Sequence, residues 1–309
     1  MASLKEVKGR INSINGTLKI TSAMKMVASA KLHKAQEAIE NMLPYERRLH
    51  KILNDFTASV SAAISTPYME KCPLKKVALL VFASNSSLGG GYNANVIRHM
   101  QEVIAEFSEK VGRDNLEIYP VGRKVAEAVK KLGFTPMGDF QHMSGKPNYK
   151  DAAQLAETLM KRFREGEIQQ VELLYNHFKS TSTQILTRET YLPIDPMHGE
   201  GEYDAEKKYI GVEGPDQEED GSYLQLGEYI IEPSTEVLMN AMVPKVLCIK
   251  LYTVLLDAAA AEHAARTMAM QIASDNATDL IQELTLTYNK TRQQAITNEL
   301  LDIVGGTMA

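Results

Sequence analysis

Residues 4–18, "LKEVKGRINSINGTL", decide the fold, because their apolar side chains return at alternating intervals of three and four residues. The series consists of Leu4, Val7, Ile11, Ile14 and Leu18. Such spacing places one apolar stripe along a helix and is typical of a helix wound against another helix. After a phase slip the same spacing resumes at Ile20, Met24 and Val27, and it continues at Ala38, Met42, Tyr45, Leu49, Ile52 and Phe56.

Glycine and proline, the main helix breakers, are concentrated in the middle of the chain. No glycine lies between Gly16 and Gly89, residues 228–304 contain no glycine, and residues 245–309 contain no proline. This distribution predicts a long helix, a globular insert and a second long helix. The two terminal helices are expected to pair as an antiparallel coiled coil, with the C-terminal tip extending beyond its partner.

Three breakers modify the predicted helices. Pro44 predicts a kink or local break in the first helix, and Pro244 predicts a bend near the start of the last one. The pair "GG" at residues 305–306 predicts the end of the last helix.

The middle of the chain alternates between strand and helix patterns. Strands are predicted at 77–82, 116–121, 171–178 and 183–193, and helices at 93–111, 123–133 and 150–164. This order predicts a Rossmann-like α/β domain. Residues 195–222, which are acidic and rich in glycine, are expected to form an exposed excursion. The predicted domains are therefore 1–60, 75–230 and 233–309, an α/β domain inserted between the helices of an all-α coiled coil.

The glycine-rich stretch "ASNSSLGGGYNANV" (83–96) is the most enzyme-like part of the sequence. A phosphate-binding loop of the Walker type requires a lysine after the last glycine, and the dinucleotide fingerprint requires G-x-G-x-x-G. Tyr92 and Asn93 follow the glycines here, so a tight backbone turn is favoured over a nucleotide site. Asp275 and Asp279, one helical turn apart, are more typical of a solvated helix face than of a catalytic pair. No catalytic residue, cofactor or metal ligand is predicted.

Charge is unevenly distributed along a chain whose net charge is −5. The first 34 residues carry seven Lys or Arg against one acid. Such an end suits an acidic protein surface, anionic lipid or nucleic acid, or it is simply a solvated helix face. Cys72 and Cys248 belong to no metal-spaced motif and indicate ordinary thiols in a reducing compartment. No unbroken apolar run reaches the roughly 18 residues of a membrane span.

Both ends of the chain resemble one family. "KGRINSINGTLKITSAMKMVASAKLHKAQ" (8–36) is similar to the N-terminal helix of the gamma subunit of F-type ATP synthases. "AEHAARTMAMQIASDNATDLIQELTLTYNKTRQQAITNELLDIVGG" (261–306) is similar to the C-terminal helix of that family. The glycine loop matches the family's D-R-G-L-C-G-G-x-N in position, but Asn85 and Ser86 replace Asp-Arg, and Gly89 replaces Cys.

The resemblance implies a central stalk, or rotor, rather than an enzyme acting alone. The implied partners are a hexamer of alpha and beta subunits, the epsilon subunit and the membrane ring of c subunits, with no nucleic acid and no membrane contact except through that ring. Active sites would lie on the partners. The start of the chain further suggests a bacterial member on the cytoplasmic face of the inner membrane.

The resemblance also implies contact residues. Those for the beta subunit are Met24, Lys25, Met26, Lys31, Arg292, Gln293 and Thr297, with Lys34 as a further candidate. Those for the c-ring are Tyr229 and Glu232. Two other hypotheses stay open on the residues alone: an enzyme that binds nucleotide in the glycine loop, and a coiled-coil scaffold with a non-catalytic α/β domain that binds DNA or membrane through its basic first helix.

Overall fold

The computed structural model describes residues 3–59, 66–194, 232 and 234–307. Internal contacts divide the chain into two compact units. We call the part up to Ser29 together with the part from Arg266 onward the helical unit, and residues 30–265 the α/β unit. The acidic stretch 195–222 and the predicted contact Tyr229 lie outside the described residues.

Two long helices begin and end the described chain. Helix α1 spans Leu4–Ser59 and helix α6 spans Thr235–Thr307. In the helical unit Thr21 contacts Ser274, and in the α/β unit Leu32 packs with Leu256. Residues further along α1 therefore meet residues earlier in α6. This confirms the predicted antiparallel pairing of the two terminal helices.

Both helices pass through their predicted breakers. Helix α1 is continuous across Pro44, and α6 is continuous across Pro244 and through Gly305 and Gly306. A proline removes one backbone N–H donor, and each glycine costs only about 1 kcal/mol in a helix, so long helices with many other bonds tolerate them. The local break at Pro44 and the helix end at the two glycines were wrong predictions.

The buried stripe of α1 runs without a phase slip. Beyond Leu18 it continues through Thr21, Lys25 and Ala28, again at intervals of three and four. The slip predicted from the sequence was wrong, since Ile20 and Val27 are 62% and 58% exposed. The spacing of apolar residues does not reveal this part of the stripe, because between Leu18 and Ala28 the stripe consists of polar and small residues.

The α/β unit contains a four-stranded sheet in the order β2-β1-β3-β4. Strands β1, β2 and β3 are parallel, and β4 runs antiparallel to β3. The strands are β1 Val77–Phe82, β2 Leu116–Val121, β3 Gln170–Phe178 and β4 Gln184–Leu192. The helices between them are α2 Tyr92–Val111, α3 Arg123–Lys131, α4 Gln141–Gly145 and α5 Tyr149–Arg164. Among these four α-helices, the five-residue α4 has no predicted counterpart. The Rossmann-like character is confirmed.

The central strand β1 is buried on both faces, as expected for a parallel strand covered by helices. Ala78, Leu80 and Phe82 point into a core shared with α5 and α6. The alternate residues Val77 and Leu79 point into a second core shared with α2 and α3. The sheet is therefore the middle layer of the α/β unit.

Helix α6 contains a window that is long and apolar enough to cross a membrane by composition alone, within Glu236–Leu301. Half of that window is buried in the protein. Leu247, Leu251 and Val254 belong to the core on one face of the sheet. Packing against the sheet therefore accounts for the apolar composition of this part of α6.

Candidate functional site

The side chains of the glycine loop hydrogen-bond within the loop itself. Ser84 donates through its backbone N–H and its hydroxyl to Asn93 Oδ1, at 3.1 and 3.0 Å. Asn93 Nδ2 in turn donates to the carbonyl oxygen of Ser86 at 3.2 Å. These bonds close the turn between β1 and α2. The arrangement is that of a braced turn, in which the side chains of Ser84 and Asn93 are committed to the loop.

Asn85 ties the loop to two neighbouring elements. Its Nδ2 donates to the carbonyl oxygen of Gln141 at 2.7 Å, and its Oδ1 accepts from the backbone N–H of Arg123 at 2.9 Å. An amide can donate and accept at once, whereas an aspartate can only accept. Asparagine at the position of the family's aspartate therefore adds one bond, to the start of α4, that a carboxylate could not form.

Leu88 is a feature of the loop that no sequence pattern indicated. Its φ angle is +70°, and its side chain is 60% exposed. A non-glycine residue in the left-handed region costs roughly 1–2 kcal/mol. The loop therefore presents an apolar side chain to solvent from a strained backbone.

Two depressions formed by described residues of the α/β unit both lack the form of a nucleotide pocket. The one beside the glycine loop holds about 10 Å³, enough for at most one water. The other, of about 500 Å³, is open and polar and is lined in part by Lys75, Lys76 and Lys110. It lies at the edge where the parallel strands begin, opposite the edge at which open α/β sheets bind ligands. Lys76 and Lys110 also pair with Glu117 and Glu106, at 3.3 and 2.6 Å.

The helical unit has a partly polar interior and an apolar exterior. Inside, the hydroxyl groups of Thr21 and Ser274 lie 2.8 Å apart, both almost fully buried. Outside, Ile20, Met26 and Val27 are exposed by 62, 67 and 58%. In most soluble helix pairs the large apolar residues are concentrated inside and the surface is polar or charged. Contiguous exposed apolar surface is typical of interaction surfaces.

The C-terminal end of α6 extends past the start of α1 in the described part of the chain. Counting outward from the Thr21–Ser274 contact along two antiparallel helices of equal rise places Ser3 level with about residue 292. We call residues 293–307 the tip. Its exposed apolar residues, which are 46–64% accessible, are Ile296, Leu300, Leu301, Ile303 and Val304. The tip predicted from the sequence is present in the helical unit.

The predicted contact residues on α1 differ in exposure. Met26 and Lys31 are exposed, Met24 is half-buried, and Lys25 occupies a half-buried position of the stripe. Lys34 is exposed. Lys31 and Lys34 belong to the α/β unit, and the other three belong to the helical unit.

The predicted contact residues on α6 lie at and beside the tip. Arg292, Gln293 and Thr297 are all exposed. The Thr297 hydroxyl donates to the carbonyl oxygen of Gln293 at 2.9 Å, so it is partly engaged within its own helix. Of the predicted c-ring contacts, Glu232 is described and exposed.

Comparison with known proteins assigns the chain to a family. A family model described as ATP synthase matches residues 3–309. The ATP synthase gamma chain of Phocaeicola vulgatus is 62% identical over 309 residues, which is 100% of both chains. The chain belongs to the ATP synthase gamma chain family. The gamma chain of Bacteroides thetaiotaomicron is 55% identical over 308 residues, again across 100% of both chains.

Solved structures support the fold. A chain of the Euglena gracilis mitochondrial ATP synthase aligns with a TM-score of 0.61 at 21% identity, covering 99% of this chain and 94% of that one. A chain of the Tetrahymena thermophila mitochondrial ATP synthase, from a structure of its central stalk and c-ring, aligns with a TM-score of 0.55 at 21% identity. It covers 82% of this chain and 99% of that one. The combination of two long helices and a Rossmann-like sheet therefore recurs in these ATP synthase structures.

Proposed function

We propose that the chain is the central stalk of an F-type ATP synthase and couples rotation of a membrane c-ring to ATP synthesis or hydrolysis. The helical unit stands inside a hexamer of alpha and beta subunits. The epsilon subunit and the c-ring bind at the other end of the stalk. The catalytic sites lie on the beta subunits, and the complex sits at the cytoplasmic face of a bacterial inner membrane.

The exposed apolar surface of the helical unit carries this proposal. Ile20, Met26 and Val27 on α1 and the apolar residues of the tip are all open to solvent in the chain alone. Leaving so much apolar surface in water is costly, at about 25 cal/mol per Å². A sleeve formed by partner subunits would cover this surface, and apolar contact of this kind is non-directional.

Coupling follows from the unequal faces of the helical unit. Five basic residues lie on the α1 side, Lys5, Lys8, Arg10, Lys19 and Lys25, whereas the α6 side carries acids such as Asp275 and Glu283. A shaft with different faces presents a different surface to each beta subunit at every angle. It therefore biases several two-state partners in turn, which is coupling by conformational selection.

Within this function, the contact residues have distinct roles. The exposed Lys31, the half-buried Lys25 and the flanking Met24 and Met26 would meet acidic segments of the beta subunit. Arg292, Gln293 and Thr297 would bond beta near the tip. Tyr229 and Glu232 would meet the loops of the c-ring.

Reconstitution tests the function directly. The chain is mixed with the alpha and beta subunits of the same bacterium, and ATP hydrolysis is measured with and without it. The rotor function predicts assembly and fast hydrolysis that depend on the chain. If the chain assembles with neither subunit, the proposal is wrong and the coiled-coil scaffold hypothesis is favoured. Tight binding of ATP or NAD by the isolated chain would instead favour a nucleotide-binding enzyme.

A matched pair of variants examines the shaft. Deleting the tip is expected to weaken coupling between hydrolysis and ion transport while the chain stays folded, because the tip extends past the start of α1. Deleting the same number of residues from the start of α1 removes half of a paired region and serves as the control. Equal loss of folding in both variants would contradict the assignment of the tip.

A further inference from the structure

One face of α6 within the α/β unit makes a series of polar contacts with strands β3 and β4 and with the start of α2. All of them are made by side chains with little exposure. They join Leu247 O to the Tyr191 hydroxyl (2.8 Å), Lys250 Nζ to Glu189 Oε1 (2.7 Å), Asp257 Oδ2 to His177 Nδ1 (2.6 Å), Asp257 Oδ1 to Phe178 N (2.9 Å) and Ala258 O to the Tyr92 hydroxyl (3.1 Å). We call this series the polar ladder. It spans about three turns of α6.

Asp257 is the central member of the polar ladder. It is 1% exposed, and its two carboxylate oxygens accept from two different donors at the end of β3. His177 is 7% exposed. Leu256 and Ala260, on either side of Asp257, pack with Phe178 in an apolar cluster. A carboxylate in such surroundings is retained only where its oxygens are satisfied, because burying an unpaired charge is costly.

The polar ladder differs in kind from the rest of the contact between α6 and the sheet. Leu251, Val254 and Leu255 contribute apolar surface to the core. Apolar burial is non-directional and changes little when a helix turns slightly or slides along its axis. Hydrogen bonds require a donor–acceptor distance within a few tenths of an ångström of about 2.9 Å and a nearly straight donor–hydrogen–acceptor angle. The polar ladder is therefore sensitive to the rotation of α6 about its own axis and to its register on the sheet.

We propose that Asp257 and His177 are positioning residues that lock α6 against rotation on the sheet, so that twist passes between the α/β layer and the long helix without slip. This role rests on the proposed function of the chain as a rotor. An axle that is held only by apolar packing would let the sheet turn relative to the helix under load. The locked geometry carries the load through directional bonds.

The isolated full-length chain tests the lock. Spin labels are placed on cysteines introduced at the exposed positions Ser182 and Asn240, with Cys72 and Cys248 replaced by Ser and Ala. Asp257→Ala keeps a strong helix former in an alanine-rich helix and removes both acceptors. It is expected to raise the population of displaced α6 about ten- to a hundredfold, the usual effect of losing a hydrogen bond to a charged group, and to broaden the label distance.

Two control variants separate the lock from mere stability. Leu251→Ala creates a cavity in the same interface at a comparable loss of stability but leaves the polar ladder intact. It is expected to keep the distance distribution narrow. His177→Gln retains a donor toward Asp257 and is expected to restore most of the parent behaviour. An unchanged distribution in Asp257→Ala, or equal broadening in Leu251→Ala, would overturn the proposal.

The assembled ATP synthase then tests what the lock does. The ratio of pumped ions to hydrolysed ATP is measured in vesicles, with protons and with sodium. The ratio is expected to fall in Asp257→Ala and to hold in Leu251→Ala and His177→Gln. Equal ratios in all three variants would refute the role in transmission. If the parent chain itself supports no pumping, the rotor function fails, and the label distances still decide whether Asp257 and His177 position α6.

Discussion

Replacing Ile20 or Val27 by serine tests whether these side chains are exposed, as in the structure, or buried, as the apolar spacing of the sequence predicts. Full burial of an isoleucine or valine side chain is worth about 1.5–3 kcal/mol. Ile20 is 62% exposed and Val27 is 58% exposed, so about two fifths of that value is present in the chain alone. Each substitution should therefore lower the free energy of unfolding by about 0.6–1.3 kcal/mol. Isoleucine and serine have similar helix propensities, so that term largely cancels.

The assay is urea unfolding of the isolated chain followed by far-UV circular dichroism, with Met270→Ala as the matched control. Met270 is 5% exposed and belongs to the buried stripe of α6 in the same unit. Truncating it should cost about 2–5 kcal/mol. If Ile20→Ser costs as much as Met270→Ala, Ile20 is a buried stripe residue and the reasoning is refuted.

The same variants can also be tested for binding to the partner subunits. If partner subunits cover Ile20 and Val27, the double variant should bind the alpha–beta hexamer about tenfold or more weakly, because each 1.4 kcal/mol of lost burial is a factor of ten. Native mass spectrometry or a pull-down with purified subunits measures this. Unchanged affinity would show that this surface is not part of the interface.

Three further predictions concern the α/β unit. Asn85→Asp should lower the free energy of unfolding by about 1–2 kcal/mol, since the bond to the Gln141 carbonyl loses its donor; a denaturant titration that shows no change would contradict this. Burial raises the pKa of the Glu117 carboxyl, but the hydrogen bond and charge of Arg162, followed by those of a nearby lysine, outweigh burial and leave the pKa below the ordinary 4.5. The stabilisation of the folded state by ionised Glu117 is therefore fully present above pH 4.5 and is lost as the pH falls through the lowered pKa. The free energy of unfolding of Glu117→Gln should therefore fall less steeply at acid pH than that of the parent chain. Equal slopes in the two proteins would contradict this role of Glu117. Burial, with a smaller contribution from a nearby glutamate, raises the pKa of the Cys248 thiol to about 11, so this thiol should react with a disulfide reagent at neutral pH only after unfolding.

Much of the fold follows from local sequence. The observed strands β1 and β2 match the predicted 77–82 and 116–121 residue for residue, because unbroken apolar runs bounded by polar residues have few alternatives in a buried parallel sheet. The two long helices follow from the absence of glycine and proline near the ends. The antiparallel pairing follows from the apolar stripe that each helix must bury.

The polar interior of the helical unit could not be predicted. A stripe that passes through Thr21 and Lys25 and leaves Ile20 outside contradicts any search based on hydrophobicity alone. The fold tolerates an exposed Ile20 because Leu18 and Thr21, on either side of it, lie on the buried stripe. Nothing in the sequence identified Asp257, in the run "LLDAAAAEH", as a buried polar residue or His177 as its partner.

Local sequence thus determined which segments are helix and strand and that the chain's two ends pair. Those outcomes depend on backbone propensity and on periodic apolar side chains, which act over a few residues. Only the tertiary structure decided which face of α1 is buried between Leu18 and Leu32 and which side chains, 80 residues apart, hold α6 on the sheet. These features depend on how segments far apart in the sequence are aligned with one another. The helix or strand propensity of a single residue carries no information about that alignment.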